Sequence, residues 1–333
     1  MIFSQEACSS AQLDAELKDI ARRLNIENIE DALYFPKYFQ IETIRVCNAK
    51  CPFCAVDQWD KSTPLMPDEL FEKIAEEMSD YSDWIEFVSI QRAGEPLLDK
   101  KIVPRVKRLK DAGVNMVTMS TNASFLTEEK SRELLDAGLD EVMMSIDSID
   151  RASYEKMRVG LDYDAVIANI RNFFKLRNQL NPKVTVRVRG VSFHDFENEE
   201  SMDELARWTH FWDELKLPHD RIYMKKPHNW GNQKAWDDVP EYADIFHPCV
   251  LPWSTMHVTA MGTVPLCPQD YDAKANLGNV WHNSIAEIWR GDGWNKIRKL
   301  HSSGERNEIA FCRGCRLFDE AFHMEADMPV GKR

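Results

Sequence analysis

Apolar and polar positions follow two different spacings along the first two thirds of the chain. Short, almost wholly apolar runs are typical of strands covered on both faces, and they lie at 39–46, 85–91, 114–121, 140–147, 183–193 and 220–226. Between these runs, apolar residues recur every three to four positions, which indicates amphipathic helices. The helical segments lie at 68–81, 101–113, 127–138, 163–180 and 202–215.

The alternation of strands and helices predicts an α/β fold in which helices cover one parallel sheet. Six strand–helix units are fewer than the eight of a closed barrel. We therefore predict a partial (β/α)6 barrel of TIM type over residues 41–230. A further helical pattern at 11–24, with Ser10 as its N-cap, predicts a helical extension over residues 1–40.

The pattern changes at residue 227. The stretch 227–242 is rich in Pro, Gly, Asn and Trp, has no clear period and is typical of a linker. Short strand-like runs follow it and predict a small C-terminal α+β domain over residues 240–333. Three tryptophans of this part either line a sugar pocket or pack in the core, namely Trp230, Trp236 and Trp253.

Composition narrows the classes of partner. The formal net charge of −13 repels a phosphate backbone, so we predict no nucleic-acid partner. No apolar run approaches the ~20 residues that span a bilayer, and the N-terminus lacks the features of a secretory signal. We therefore predict a cytoplasmic protein without a membrane partner. In that reducing compartment, its eight cysteines indicate metal binding or catalysis rather than disulfides.

Three cysteines, Cys47, Cys51 and Cys54, are spaced Cys-x3-Cys-x2-Cys directly after the first predicted strand. A structural zinc site takes four ligands, and a cubane [4Fe–4S] cluster normally takes four cysteines. Three thiolates therefore leave one coordination position open. The loop after a barrel strand faces the active-site mouth, where an open position is useful. A zinc site that borrows a distant fourth ligand is the alternative.

This spacing, with Phe53 before the third cysteine, resembles the signature of the radical S-adenosylmethionine (SAM) superfamily. Further motifs of that family follow the predicted strands, namely AGEPLL (93–98), STNA (120–123), SIDS (145–148) and SYEKMRVG (153–160). The chain departs from the family at Ala93, where glycine is usual. The methyl group of Ala93 restricts the backbone angles, so the resemblance does not predict the detailed geometry of that loop.

The resemblance implies a [4Fe–4S] cluster on the three cysteines, with SAM chelating the fourth iron. Reductive cleavage of SAM then gives a 5′-deoxyadenosyl radical, and the electron is expected from a flavodoxin- or ferredoxin-type protein. By the same resemblance, Asp147 either contacts SAM or braces its own turn. The remaining implied SAM contacts are Phe53 at the adenine, Gly94 and Glu95 at the ammonium, Ser120, Asn122 and Ser145 at the ribose or methionine, and Arg158 at the methionine carboxylate.

A second group consists of Cys249, Cys267, Cys312 and Cys315. With GNVWHNSIAEIW (278–289) between them, these cysteines resemble the auxiliary-cluster domain called SPASM, or its shortened relative Twitch. A full SPASM domain uses seven cysteines for two clusters, and no cysteine follows Cys315. The resemblance therefore implies one auxiliary [4Fe–4S] cluster on the four cysteines. A four-cysteine zinc site is the alternative.

The resemblance to Twitch-type dehydrogenases implies oxidation of a small hydroxylated substrate, such as a sugar or an aminocyclitol. In that reaction the radical takes the carbinol hydrogen, a base removes the hydroxyl proton, and the closed auxiliary cluster accepts an electron. The alternatives are modification of a ribosomal peptide (thioether, crosslink or epimerisation), redox-neutral sugar epimerisation, and a noncatalytic iron–sulfur carrier or zinc module. Candidates for the base are Arg92, Arg187, Arg189, His194 and Lys225, all near strand ends.

Overall fold

The computed structural model describes residues 8–315 of the 333-residue chain, apart from 56, 57, 59–61, 63, 194–198, 226 and 234–243. Its strands are β1 (Tyr38–Ile41), β2 (Phe87–Ser89), β3 (Met116–Thr121), β4 (Glu141–Ser145), β5 (Thr185–Val191), β6 (Arg221–Lys225), β7 (Thr255–Val258), β8 (Thr263–Pro265) and β9 (Asn276–Asn279). Its helices are α1 (Ser10–Arg23), α2 (Asp68–Ser79), α3 (Ile102–Asp111), α4 (Glu128–Asp136), α5 (Arg151–Met157), α6 (Tyr163–Leu180), α7 (Glu199–His210), α8 (Leu251–Ser254), α9 (Ile285–Arg290) and α10 (Asp292–Ser302).

The strands β1 to β7 form one parallel sheet in the order β6-β5-β4-β3-β2-β1-β7. Its outer strands, β6 and β7, are not paired with each other, so the sheet stays open. The predicted partial (β/α)6 barrel is therefore confirmed, and the sheet continues by one further strand. That strand, β7, pairs with β1 through Phe39 and Met256, although its residues fall within the range predicted as the C-terminal domain.

The first predicted strand is wrong in its length, because β1 ends at Ile41 rather than at residue 46. From Glu42 onward the chain is no longer paired with β2, and its backbone N–H groups donate hydrogen bonds to other segments. The Glu42 N–H donates to Val258 O at 2.8 Å, and the Arg45 N–H donates to Pro64 O at 2.8 Å. This early exit starts the long loop that carries Cys47, Cys51 and Cys54.

The convex face of the sheet holds the main core. Along β5, Val186 and Val188 are fully buried, and they share a hydrophobic cluster with Phe173 and Phe174 of α6. Fully burying such a side chain contributes about 1.5–3 kcal/mol, which fixes this face of the strand against the helices. The alternate positions, including Arg187, consequently project from the concave face.

The C-terminal part packs against the barrel through apolar contacts and through hydrogen bonds at the start of a helix. The antiparallel pair β8–β9 precedes α9 and α10. The Glu77 carboxylate, on α2, accepts the Ile285 and Ala286 N–H groups at the start of α9, at 2.8 and 2.9 Å. None of the helices in the described ranges combines the length and apolar content needed to cross a membrane.

Candidate functional site

The loop after β1 brings three thiols together. The Cys54 N–H donates to Cys51 O at 3.0 Å, which closes a turn, and the Ala49 N–H donates to Cys47 Sγ at 3.4 Å. Burial raises the pKa of Cys47 to about 11, and the neighbouring Cys51 and Cys54 act in the same direction. Because burial and its neighbours disfavour the Cys47 thiolate, this thiol needs a positive partner in order to ionise.

The residues around these thiols suit a negatively charged iron–sulfur cluster. Arg158 Nη1 lies 3.7 Å from Cys51 Sγ, and Asn122 Nδ2 lies 3.9 Å from Cys47 Sγ. N–H groups aimed at cysteine sulfurs tune such clusters. Within the described ranges, no three His, Cys, Asp or Glu side chains converge on a single metal ion, whereas a cubane spreads its cysteines over separate irons.

Gly94 lies against the backbone that leads into the cysteine loop. Its φ is +74°, and a Cβ atom there would lie 2.6 Å from Ile44 O and 2.7 Å from Val46 O. The next N–H, that of Glu95, donates to Val46 O at 2.8 Å. This close approach explains why glycine is needed at position 94.

Glu95 is 2 % exposed and connects the second strand loop to the end of β3. Its carboxylate accepts from Thr121 Oγ1 at 2.6 Å, from the Asn122 N–H at 2.7 Å and from the Leu97 N–H at 3.1 Å. Burial raises its pKa to about 7 despite these donors. These three bonds fix the position of the Glu95 carboxylate, and its expected contact with the SAM ammonium stays a prediction.

Asn122 links the end of β3 to the cysteine loop. Its Nδ2 donates to Asn48 Oδ1 at 2.9 Å, while its Oδ1 accepts from the Ser124 N–H at 2.9 Å. Ser120 and Ser145 lie at neighbouring strand ends, Ser120 on β3 and Ser145 on β4. The carboxyl ends of these strands therefore gather the predicted polar residues near the thiols.

Arg158 is bound by Asp147 in this structure rather than left open. Its Nε lies 2.6 Å from Asp147 Oδ2 and its Nη2 lies 2.9 Å from Oδ1, a bidentate pair. The guanidinium also lies over the Phe53 ring at 5.1 Å. Asp147 in addition accepts the Val191 N–H at 2.8 Å, so it braces β5 rather than its own turn.

Trp230 was missed as a structural partner of the cysteine loop, because its surroundings were predicted to be a linker. Its Nε1 donates to Phe53 O at 3.0 Å. Trp230, Gly231 and Asn232 all have positive φ, at 53°, 61° and 64°, and a non-glycine residue in that region is strained. Asn232 Nδ2 donates to Ala310 O at 3.0 Å, which ties this turn to the second cysteine group.

The candidate bases have different surroundings. The side chain of Arg92 is 1 % exposed and lies 3.2 Å from Glu42, while it donates to the carbonyls of Asp270 and Tyr271. These contacts make Arg92 a bridge between the barrel and the loop after Cys267. Arg187 lies 2.7 Å from Glu141. Two candidates lie on the concave face of β5 and β6, Arg189 and Lys225. His194 and Trp236 fall outside the described residues.

The second cysteine group is also assembled. Cys249, Cys267 and Cys312 belong to one apolar cluster. Burial raises the pKa of Cys267, and the nearby Cys312 and Cys315 raise it further. The Cys249 N–H donates to His301 Nδ1 at 3.0 Å, and Arg306 Nη2 donates to Cys315 O at 2.7 Å. Four cysteines grouped in this way, two of them buried and two partly buried, suit a group that binds all four of its ligands from the protein.

Trp253 packs in the core rather than at a pocket. It shares an apolar cluster with Leu24 and Val250, below the N-terminal helix α1. Its ring lies edge-on to His301, with centroids 6.2 Å apart. Of the two described tryptophans considered as pocket walls, only Trp230 lies beside the first cysteine group.

Comparison with known proteins gives two family matches. A model described as the radical SAM superfamily matches residues 41–209, and a model described as an iron–sulfur cluster-binding domain, SPASM, matches residues 249–316. An S-adenosyl-L-methionine-dependent 2-deoxy-scyllo-inosamine dehydrogenase of Niallia circulans is 23% identical over 290 residues, 83% of this chain and 91% of its own.

Two further proteins widen the range of activities among the similar chains. A probable GTP 3′,8-cyclase of Sulfurisphaera tokodaii is 31% identical over 306 residues, 81% of this chain and 90% of its own. The crystal structure of Streptococcus suis SuiB bound to its precursor peptide SuiA has a TM-score of 0.64 at 16% identity, over 90% of this chain and 75% of that one. At that identity the likeness concerns the fold.

Proposed function

The chain belongs to the radical SAM superfamily, and on that premise we propose that it oxidises a secondary alcohol of a small hydroxylated substrate, a sugar or an aminocyclitol. As a radical SAM enzyme with a SPASM domain, it uses a [4Fe–4S] cluster, SAM and an additional iron–sulfur cluster. What we propose is the class of substrate, its oxidation to a ketone and the residues that take part in this reaction.

Cys47, Cys51 and Cys54 are the proposed ligands of the SAM-binding cluster. When bound, the cluster and SAM supply the radical that takes a hydrogen atom from the substrate. Arg158 and Asn122 place N–H groups beside two of the three sulfurs. The backbone at Gly94 and Glu95 fixes the entry to the cysteine loop. These residues therefore hold the loop and stabilise negative charge on its sulfurs.

The observation that carries the proposal is the closed second cysteine group. Oxidation of a secondary alcohol removes a hydrogen atom, a proton and an electron, so the protein needs an electron acceptor besides the radical. Cys249, Cys267 and Cys312 share one apolar cluster, and Cys312 and Cys315 both lie close enough to raise the pKa of Cys267. A cluster with four protein ligands has no coordination position for substrate, and it is therefore suited to electron transfer.

The proton acceptor is proposed among the groups on the concave face. A guanidinium does not deprotonate in proteins, so Arg92, Arg187 and Arg189 are poor bases. Lys225 lies at the end of β6. His228 lies close to Lys225. Burial lowers the pKa of His228 to about 4, and the charges of Arg189 and Lys225 act in the same direction. Its imidazole is therefore neutral at pH 7 and can accept a proton, although weakly.

Nucleotide cyclisation is a second candidate, because a similar chain of 31% identity is named as a probable GTP 3′,8-cyclase. Peptide modification has weaker support, since the likeness to SuiB concerns the fold alone. Mass balance separates the proposed oxidation from cyclisation and from epimerisation. Oxidation of an alcohol lowers the substrate mass by two hydrogens, whereas cyclisation of GTP and epimerisation of a sugar keep the composition.

The first test is the metal content of the anaerobically reconstituted protein. Two cubanes would give about eight irons per chain, and a Cys267→Ala/Cys312→Ala variant should retain about half of them. Four irons with one zinc would contradict the proposed electron acceptor. A second test supplies reductant, SAM and a panel of polyols, aminocyclitols and GTP. A ketone product formed with 5′-deoxyadenosine supports the proposal, and conversion of GTP alone contradicts it.

A further inference from the structure

Tyr154, on α5, is a fully buried tyrosine whose hydroxyl has no partner among the residues that the structure describes. Its side chain is 0 % exposed and belongs to the main hydrophobic cluster. No hydrogen-bond donor or acceptor of the described chain lies within bonding distance of its Oη. Buried tyrosines usually place the hydroxyl against a partner, because an unpaired buried polar group costs free energy. Tyr154 is therefore a candidate contact for a group that this protein binds.

The neighbouring Tyr163 shows the usual arrangement. The rings of Tyr154 and Tyr163 meet edge to face, with their centroids 5.6 Å apart. Tyr163 Oη donates to Ile149 O at 2.6 Å, so its hydroxyl is satisfied within the protein. Of the two hydroxyls in this aromatic pair, only that of Tyr154 lacks a partner.

Helix α5 brings Tyr154 to the first cysteine group. Arg158 follows Tyr154 by four positions, and residues with this spacing lie on one side of a helix. The Arg158 N–H donates to Tyr154 O at 2.7 Å, so the helical turn continues to Arg158. Arg158 Nη1 lies 3.7 Å from Cys51 Sγ, and Cys51 shares the main hydrophobic cluster with Tyr154. One helical turn thus places a guanidinium and a phenol beside the same cysteine.

The charges around Tyr154 leave its hydroxyl protonated. Burial raises the pKa of Tyr154 well above its usual value of 10.0, Arg158 acts against this shift, and the charges of Asp147 and Cys51 act with it. At pH 7 the hydroxyl therefore keeps its proton and can donate it to an acceptor. The Asp147 carboxylate already accepts two N–H groups of Arg158 and the Val191 N–H. Cys51 is the other anionic neighbour.

Cys51 becomes a strong acceptor only when it is a thiolate. Burial raises the pKa of its thiol, and a neutral cysteine sulfur accepts hydrogen bonds weakly. A cysteine that binds iron is a thiolate, and hydrogen bonds to a charged acceptor are roughly twice as strong as neutral ones. The unpaired hydroxyl of Tyr154 therefore fits a cluster that has Cys51 as a ligand.

We infer that the Tyr154 hydroxyl donates a hydrogen bond to the Cys51 sulfur in the cluster-loaded protein and thereby makes that cluster easier to reduce. The reduced cluster carries one more negative charge, so a donor at its sulfur stabilises it more than the oxidised cluster. The inference rests on the proposed ligand Cys51 and is independent of the proposed oxidation of an alcohol.

The first test measures the reduction potential, apart from turnover. The reconstituted protein is titrated with reductant without SAM, and the cluster on the first cysteine group is identified as the one whose spectrum changes when SAM is added afterwards. Tyr154→Phe should shift its reduction equilibrium about three- to tenfold towards the oxidised form, which is about 30–60 mV for one electron. Tyr163→Phe is the matched control and should leave this potential unchanged, and the second cluster should keep its potential in both variants.

The second test measures the stability of the metal-free chain with reduced cysteines by unfolding in denaturant. Tyr154→Phe removes an unpaired buried hydroxyl, so the unfolding midpoint should stay the same or rise. Tyr163→Phe leaves Ile149 O without its donor, so the midpoint should fall. An equal fall in both variants would overturn the inference, because the Tyr154 hydroxyl would then already have a partner, such as a buried water.

Two further results would overturn the inference. One is an unchanged potential of the SAM-sensitive cluster in Tyr154→Phe. The other is a loss of SAM affinity at an unchanged potential, which would assign the hydroxyl to SAM instead of Cys51. If Tyr154→Phe takes up no iron at the first cysteine group, an unchanged midpoint of the metal-free chain supports the contact and a lowered midpoint contradicts it.

Cys51→Ala separates this inference from the proposed cluster ligands. A Cys51→Ala protein that keeps the SAM-sensitive cluster would contradict Cys51 as a ligand, and the contact with Tyr154 would fail with it. Loss of that cluster in Cys51→Ala, together with an unchanged potential in Tyr154→Phe, would overturn the hydroxyl contact alone and leave the ligand standing.

Discussion

At the scale of single residues, Gly94 has a structural role besides the SAM contact implied by the resemblance, which stays a prediction. The structure shows it against the carbonyls of Ile44 and Val46. Both roles require close approach of a backbone, but the second one fixes the entry of the cysteine loop. The requirement for glycine was therefore readable from the sequence, and the neighbour that imposes it was not.

Gly94→Ala tests this role. The added methyl would meet two carbonyl oxygens at 2.6 and 2.7 Å at a φ of +74°, so we expect a loss of about 2–3 kcal/mol of unfolding free energy and a lower iron content. The control is Gly138→Ala, which has a similar φ of +90° but meets only the flexible Lys110 side chain. Equal losses in both variants would refute the backbone contact as the cause.

Glu95 gives a prediction about pH. Burial raises its pKa from 4.5 to about 7, so folding favours the protonated form. The resulting stability is fully present below pH 4.5 and is lost as the pH rises to about 7. Glu95→Gln should remove this dependence, so the gap in unfolding free energy between variant and wild type should shift by a few kcal/mol over that window. Unfolding by denaturant is measured for both proteins without SAM at several pH values. If the prediction is wrong, the unfolding free energies of the two proteins change with pH in parallel.

At the scale of elements, a buried ion cluster joins the barrel to the loop after Cys267. Glu42 is fully buried, with Arg45 Nε 2.9 Å from one oxygen and Arg92 Nη1 3.2 Å from the other. Both arginines donate to the Tyr271 carbonyl, each at 3.2 Å. The cluster therefore fixes the loop after Cys267 against the barrel.

Arg92→Met distinguishes the structural role of Arg92 in this ion cluster from its predicted role as a catalytic base. Removing one partner of a buried ion pair costs about 3–5 kcal/mol, and we expect a loss of that order in unfolding free energy. SAM cleavage per iron-loaded protein should be retained, because the contacts of this side chain go to Glu42 and to the loop after Cys267. Arg108→Met, which breaks the exposed pair with Glu72, should cost less than about 1 kcal/mol. A stable Arg92→Met protein without SAM cleavage would favour the catalytic role.

At the scale of the whole molecule, the barrel depends on the C-terminal third of the chain. Met256 and Val258 of β7 are fully buried, and β7 covers the edge of β1 over four residue pairs. The division into domains at 41–230 and 240–333 stays a prediction, and the sheet includes β7 from the second range. An uncovered β1 edge would offer free N–H and C=O groups to other chains.

Truncation after residue 244 should therefore give an aggregating protein rather than a six-stranded barrel. The expected readouts are loss of soluble protein and of iron binding at the first cysteine group. Co-expression of residues 245–333 as a separate chain should restore both, because it supplies β7 again. A soluble, iron-binding truncated chain would contradict the dependence of the barrel on β7.

Periodicity along the chain was enough to predict the six strand–helix units of the barrel. The two cysteine groups were equally readable, because ligand spacing within a loop is a local property. Contacts between distant segments followed only from the three-dimensional arrangement. The bond from Trp230 to Phe53 spans a stretch predicted as linker, and the pairing of β7 with β1 joins segments far apart in the chain. Likewise, the position of Arg221 opposite Arg187 depends on the register of β5 and β6. Register and long-range pairing depend on how the strands pack together, so they cannot be read from the periodicity of any one segment.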